Sequence, residues 1–308
     1  MLKYLWNRGV NPGSEREKLQ KELFSFSKNV QYGFPHKPVS MDWDPHLKLL
    51  AIATKTGFIR IFGQPGFLNY ELKKMKIFHF SGVELTGFLH NKDLSLKKIL
   101  FLPAQGRLIT LSSSLDHPRN VLHFWEIEDS KVEKIKTTVL ENIESEVTCL
   151  TIHTTRNVLM MGSRDGDVHQ LHLWSFILDK EVISQSSLLD NIPEDHHEDP
   201  GEVVAVVPNP HQPDQVMIGY SAGFMMLWDT NTKTLLNILK SSSLLLDLCW
   251  RSEDEFYSCH SDGSYVVWDA ENGAQLQPPR TPYGPLPCKS INKIYCSETD
   301  CVKWSVFR

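Results

Sequence analysis

From residue 39 onward, short runs of alternating or continuous apolar residues recur along the chain, separated by clusters of Gly, Asp, Asn, Ser and Thr. Val39-Ser-Met-Asp-Trp43 alternates apolar with polar residues, and Leu49-Leu-Ala-Ile-Ala53 is a continuous apolar run. Both patterns predict β-strands, one half-buried and one fully buried. Thr54-Lys-Thr-Gly57 then turns into Phe58-Ile-Arg-Ile-Phe62. The same strand, turn and strand return four more times. Leu108-Ile-Thr-Leu111 leads through a wider turn to Val121-Leu-His-Phe-Trp125, and Leu159-Met-Met-Gly-Ser-Arg-Asp-Gly166 leads to residues 168–173. Val216-Met-Ile-Gly-Tyr-Ser-Ala-Gly223 precedes Phe224-Met-Met-Leu-Trp-Asp229, and Ser258-Cys-His-Ser-Asp-Gly-Ser-Tyr-Val-Val-Trp-Asp269 closes the series.

The last copy is the sharpest. Asp262-Gly263 is a dipeptide suited to positive φ at both centres, so a tight two-residue type I′ hairpin is predicted there. Gly223 and Gly263 are 40 residues apart, Gly166 and Gly223 are 57 apart, and Gly57 to Gly166 spans 109, room for two units. Units of forty-odd residues with four strands and a terminal Trp-Asp are the signature of WD40 propeller blades. The longer spacings are ascribed to two insertions. One, roughly 75–95, is Lys-rich and precedes the strand Lys98-Ile-Leu-Phe-Leu102; the other, roughly 185–202, carries Asp190, Glu194, Asp195, Glu198, Asp199 and Glu202 without a Lys or Arg. A sixth unit is begun by Ile291-Asn-Lys-Ile-Tyr295 and Val302-Lys-Trp-Ser-Val-Phe307. The expected fold is all-β: a partial WD40-type β-propeller over 39–308, of about five and a half blades. Such a ring leaves apolar blade faces open and is expected to be marginally stable or to associate.

Residues 1–38 follow a different period. Ser14-Glu-Arg-Glu17 has capping-box spacing, and Leu19, Leu23 and Phe26 form one apolar stripe, which predicts a short N-terminal helix. Seven Lys and Arg against three Glu make 1–38 a basic arm, able to pack on the following domain or to lie on an anionic membrane surface. The rest of the composition is that of a soluble globular chain. A net charge of -5 argues against a dedicated nucleic-acid binder. The six cysteines form no Cys-x-x-Cys pair and read as reduced, partly buried thiols. No secretory signal and no apolar run of membrane-spanning length is present, so a cytoplasmic or peripheral-membrane location is expected.

Catalytic motifs are wanting: no Gly-x-Gly-x-x-Gly, P-loop, Gly-x-Ser-x-Gly or His-Glu-x-x-His occurs. Glu194-Asp-His-His-Glu-Asp199 lies between Pro193 and Pro200 with no helical spacing to converge metal ligands, and reads as a solvated acidic loop. His260 sits inside the strand-turn unit and reads as a structural hydrogen-bonding residue, and the Asp of each Trp-Asp as a turn residue. No catalytic, metal-binding or cofactor-binding residue is assigned, no cofactor is expected, and partner-binding residues are not identified.

Several segments carry a closer resemblance. Gln20-Lys-Glu-Leu-Phe-Ser-Phe26, Gln31-Tyr-Gly-Phe-Pro-His-Lys-Pro38, Asp44-Pro-His-Leu-Lys-Leu-Leu-Ala-Ile-Ala-Thr54 and Phe62-Gly-Gln-Pro-Gly66 resemble the lethal giant larvae family. So do Gln105-Gly-Arg-Leu-Ile-Thr-Leu111, Ile218-Gly-Tyr220, Ser261-Asp-Gly-Ser-Tyr265 and Thr281-Pro-Tyr-Gly-Pro-Leu-Pro-Cys-Lys289, in the same order. The last segment favours that family over its relative tomosyn. The resemblance implies a cytoplasmic, cortex-associated scaffold of cell polarity and polarised exocytosis. The implied partners are syntaxin-type SNARE proteins, non-muscle myosin II and the atypical protein kinase C polarity complex. The family's kinase-regulated membrane loop belongs to a second propeller and has no counterpart here. The alternative reading is a peripheral protein that binds anionic lipids through the basic arm.

Overall fold

The computed structural model describes residues 35–63, 83–89, 94–114, 119–127, 132–191, 198–282, 284, 290–296 and 302–307. The chain divides into two compact units, Met1–His36 and Lys37–Arg308. The short helix expected in the basic arm 1–38, and all of that arm before Pro35, lie outside the described residues.

The second unit is a succession of antiparallel sheets, each a meander in chain order. The first holds β1 (Pro38–Asp44), β2 (Leu49–Thr54), β3 (Phe58–Gly63) and β4 (Val83–Phe88). The second holds β5 (Leu94–Leu102), β6 (Arg107–Ser114), β7 (Asn120–Ile127) and β8 (Val132–Val139). The third has β9 (Val147–His153), β10 (Val158–Ser163) and β11 (Val168–His172), followed by the one-turn helix α1 (Ser186–Leu189). The fourth has β12 (Val203–Pro208), β13 (Gln215–Tyr220), β14 (Phe224–Asp229) and β15 (Thr234–Lys240). The fifth has β16 (Leu245–Trp250), β17 (Glu255–His260) and β18 (Tyr265–Asp269), and the sixth β19 (Ser290–Cys296) and β20 (Val302–Phe307). The fold is that of a partial WD40-type β-propeller.

Each sheet is apolar on both faces, so only its neighbours can cover it. Five junction cores do this in sequence. Ala51, Ile59 and Ile61 meet Leu96, Phe101 and Trp125 between the first two sheets. Leu111 and Phe124 meet Leu159 and Leu171 at the next, Met160 and Val168 meet Val206 and Ile218 at the third, and Met217 and Leu227 meet Leu248 and Trp268 at the fourth. Tyr257 and Val267 meet Ile291 and Ile294 at the last.

Two sequence expectations are corrected. Val83–Phe88, placed in an insertion over 75–95, is the outer strand of the first sheet and pairs with β3 along its length. The turn at Asp262-Gly263 is not type I′. The Gly263 N–H bonds the His260 carbonyl, so Ser261 and Asp262 are the central residues and only Gly263 has positive φ, 82°. This is a type I turn followed by a left-handed glycine, the three-residue hairpin loop. Gly57, Gly166 and Gly223 repeat it at φ 90°, 87° and 95°. At Gly223 a Cβ would meet the Ser241 and Ser243 carbonyl oxygens at 2.8 and 2.9 Å, so only glycine fits.

A second repeat is invisible in the sequence. In every sheet the pairing of the innermost strand with the next skips one residue: Val39, Lys97, Thr148, Val204, Leu246 and Asn292. These β-bulges add twist at the same place in each blade. The residue after the bulge reaches the next blade at two junctions. Ser40 Oγ accepts from the Ile99 N–H at 3.2 Å, and Asp247 Oδ2 from the Ile294 N–H at 3.1 Å. Asp42 and Asp44 add bonds to the Phe101 and Ala104 N–H groups at 2.7 and 2.9 Å.

Candidate functional site

The hydrogen bonds sort the loops into two ends of the propeller. At one end the hairpin turns bond the chain entering their own blade: Arg164 N–H to the Glu146 carbonyl, Ser221 to Glu202, and Ser261 to Leu244. At the other end, the turns after the third strands bond those between the first two: Ile127 N–H to the Gly106 carbonyl, Thr230 to Asp214, and Ala270 to Asp254. The first end carries exposed Glu141, Glu144, Asp165, Glu198, Asp199 and Asp262. Its cations are largely engaged. Arg164 bridges Glu146 and Glu202 at 2.8 and 3.5 Å, Lys240 meets Glu198 at 3.0 Å, and Lys97 meets Glu146 at 3.4 Å. The acidic stretch Glu194–Asp199 is described only at its last two residues. Among the described residues no group of three His, Cys, Asp or Glu side chains converges as a metal site. No described helix is long and apolar enough to cross a membrane.

His260 lies fully buried within the fifth blade. Its Nε2 is 2.9 Å from Ser258 Oγ, which also accepts the Trp268 indole N–H at 2.7 Å. Ser258 and His260 are both 0% exposed, so the pair is closed to substrate and acts as an internal strut. The second blade builds the same strut with the histidine on the neighbouring strand. Trp125 Nε1 donates to Thr110 Oγ1 at 2.9 Å, and His123 Nε2 meets Ser112 Oγ at 2.9 Å while its Nδ1 meets Thr137 Oγ1 at 3.1 Å. Burial, with Lys134 adding to it, pushes the His123 imidazole down to about 4. Burial also lowers His153 and His260. In the fourth blade the register places Ile218 and Tyr220 where the fifth has Ser258 and His260, and burial raises the Tyr220 phenol.

The Trp-Asp aspartates cap turns. Asp269 Oδ1 accepts from the Glu271 and Asn272 N–H groups, both at 2.9 Å, and Asp229 Oδ1 from Asn231 and Thr232 at 2.7 and 2.9 Å. The Thr232 backbone bond holds Asp229, and the Asn272 backbone bond Asp269, below the usual carboxylate range. A carboxylate fixed as an acceptor in this way is a poor general base.

The exposed apolar residues are better candidates. β1 turns Asp42 and Asp44 toward the second sheet and leaves Val39, Met41 and Trp43 40%, 59% and 50% exposed. Sequence reading placed Met41 and Trp43 in a half-buried strand but did not single out this row. A second exposed group surrounds Trp174, in the irregular stretch after β11. There Leu171↔Leu178 and Val168↔Ile183 are isolated bridges in place of a fourth strand.

The comparisons with known proteins now bear on this framework. No family model matches the chain. A chain in a crystal structure of the mitotic checkpoint complex superposes with a TM-score of 0.53 at 14% identity, covering 91% of this chain and 92% of that one. At that identity it speaks for the propeller-like fold alone. The chain is 33% identical over 302 residues to the Lethal(2) giant larvae protein of Drosophila pseudoobscura pseudoobscura, across 96% of its own length. The chain belongs to the lethal giant larvae family. Mouse Lethal(2) giant larvae protein homolog 1 is 33% identical over 317 residues, and human LLGL scribble cell polarity complex component 2 is 33% identical over 306. The chain spans only 24% of the fly protein and 28% of each mammalian one, a match to their N-terminal part.

Proposed function

We propose that the chain is a non-catalytic interaction scaffold of the lethal giant larvae type, acting in cell polarity and polarised exocytosis. Its partners in this reading are syntaxin-type SNARE proteins, non-muscle myosin II and the atypical protein kinase C polarity complex. Its place is the cytoplasm beneath the cell cortex. One observation carries the reading: a third of the residues are shared with polarity proteins across nearly the whole chain. The buried struts of the second and fifth blades agree with it, since their polar groups are spent on holding sheets together.

The test is pull-down of purified syntaxin cytoplasmic domain and myosin II tail by the purified chain, with sedimentation on anionic liposomes in parallel. Capture of at least one protein, without liposome binding, is the expected result. A folded chain that captures neither overturns the scaffold reading. Liposome binding lost on removal of residues 1–38 would assign the chain to the membrane surface instead.

A further inference from the structure

The outer edge of the fifth blade is a proline-bearing bow held at both ends. Gln275 bridges Trp268, and Arg280 bridges Tyr265. At that second bridge the Tyr265 N–H bonds the Arg280 carbonyl at 2.7 Å and the Arg280 N–H bonds the Tyr265 carbonyl at 3.0 Å. Continued as a ladder, this pairing would set Pro278 opposite Val267. Proline has no N–H to give. The Val267 carbonyl accepts from the Leu276 N–H instead, at 2.9 Å. Gln277, Pro278 and Pro279 therefore lie between Leu276 and Arg280, where β18 has the single residue Val266. The surplus residues bulge out of the sheet. Pro278, Pro279 and Arg280 are all exposed, and Leu276 beside them is 43% exposed.

The bow is also narrowed to one backbone conformation. Each pyrrolidine ring fixes φ at about −65°, and a residue before proline is kept out of the helical region. Gln277 and Pro278 both precede a proline, so both are driven toward polyproline II. A segment of that kind is what the aromatic grooves of proline-reading domains accept. The flanking bridges already hold this one in place, which lowers the ordering cost of binding. Arg280 adds a cation at one end, exposed and without an ion pair among the described residues. A turn closed by the Gly284 N–H on the Thr281 carbonyl at 3.2 Å then ends the extended stretch. The free footprint is thus an adjacent proline pair and one arginine, the width of a single aromatic clamp. We propose that Pro278-Pro279-Arg280 is a docking site for a WW-type domain. Its one groove between two aromatic rings takes the prolines, and an acidic groove rim takes Arg280. This site goes beyond the scaffold reading and does not depend on binding of syntaxin or myosin II.

The test is fluorescence anisotropy of the full 308-residue chain with a panel of labelled WW domains that have acidic groove rims, and with SH3 domains in parallel. Saturable binding to at least one WW domain is expected, weaker as salt rises. Pro278→Ala with Pro279→Ala is expected to weaken it by about tenfold or more, and Arg280→Glu by about tenfold. Pro210→Ala, at a lone exposed proline of the fourth blade, should leave it unchanged. The paired prolines are exposed, so their loss does not endanger folding, which near-ultraviolet circular dichroism checks. Absence of saturable binding to every WW domain by a folded chain, or full binding by the double proline variant, overturns the proposal. Capture by SH3 domains alone, lost on Pro282→Ala, also overturns it, by moving the site to the Pro279-Arg-Thr-Pro282 spacing.

Discussion

Trp268 donates its indole N–H to Ser258 Oγ at 2.7 Å, and that one hydroxyl is also the contact of the buried His260 imidazole. Two strands of the fifth blade and its hairpin turn are thus tied through a single oxygen. Ser258→Ala leaves both nitrogens without this partner, a penalty of about 2–4 kcal/mol for two buried polar groups. Urea unfolding measures it, and a loss under about 0.5 kcal/mol would show that the strut adds nothing.

The junction between the third and fourth sheets has no room at Gly162. A Cβ there would stand 2.5 Å from Val203 Cγ1 and 2.6 Å from Cys149 Sγ. Gly162→Ala is expected to destabilise by about 1–3 kcal/mol through overpacking. Val203→Ala in the same chain should recover part of that loss, which a double-mutant cycle reads directly.

Stability should fall on mild acidification. The His123 imidazole is held at about 4 in the folded chain against 6.5 in the unfolded one. Its depressed folded value means that the unfolded chain binds the proton first as pH drops. The contribution is therefore complete above pH 6.5 and lost between 6.5 and 4, about 3 kcal/mol by linkage. His153 and His260 shift in the same direction. Denaturant midpoints from pH 7 to 4.5 check this, and His123→Gln should flatten part of the slope.

The row Val39, Met41 and Trp43 is an apolar sheet face in contact with water. The chain is expected to self-associate through it, as open faces of this kind do. Met41→Ser with Trp43→Ser should raise the monomer fraction in sedimentation velocity. An unmodified chain that stays monomeric throughout the accessible concentration range would contradict this.

Much of this architecture could be read from residues alone, and the failures have physical causes. Inner strands announce themselves because runs such as Leu49-Leu-Ala-Ile-Ala53 and Val216-Met-Ile are buried on both faces. Outer strands do not. β8 reads Val-Glu-Lys-Ile-Lys-Thr-Thr-Val and is exposed from Glu133 to Thr137, while Val83–Phe88, which carries Val83, Leu85 and Phe88, was absorbed into a supposed insertion beside a Lys-rich stretch. The fifth blade has no regular fourth strand: Trp268↔Gln275 and Tyr265↔Arg280 are isolated bridges, with Pro278 and Pro279 unable to donate between them. The bulges fall on residues as unlike as Val39, Lys97 and Thr148, so their common position is set by blade twist and leaves no sequence mark. His260 was legible as structural from its place beside the turn. The exposed group around Trp174 was not, because it lies on an irregular stretch that no periodicity describes.

We propose that this framework works by binding cortical proteins. Surface plasmon resonance of the purified chain over immobilised syntaxin cytoplasmic domain and myosin II tail tests it most directly. Saturable binding with a Kd of about 10 μM or tighter to at least one of them is the predicted result. A cooperatively folded chain that gives no saturable response on either surface would contradict it.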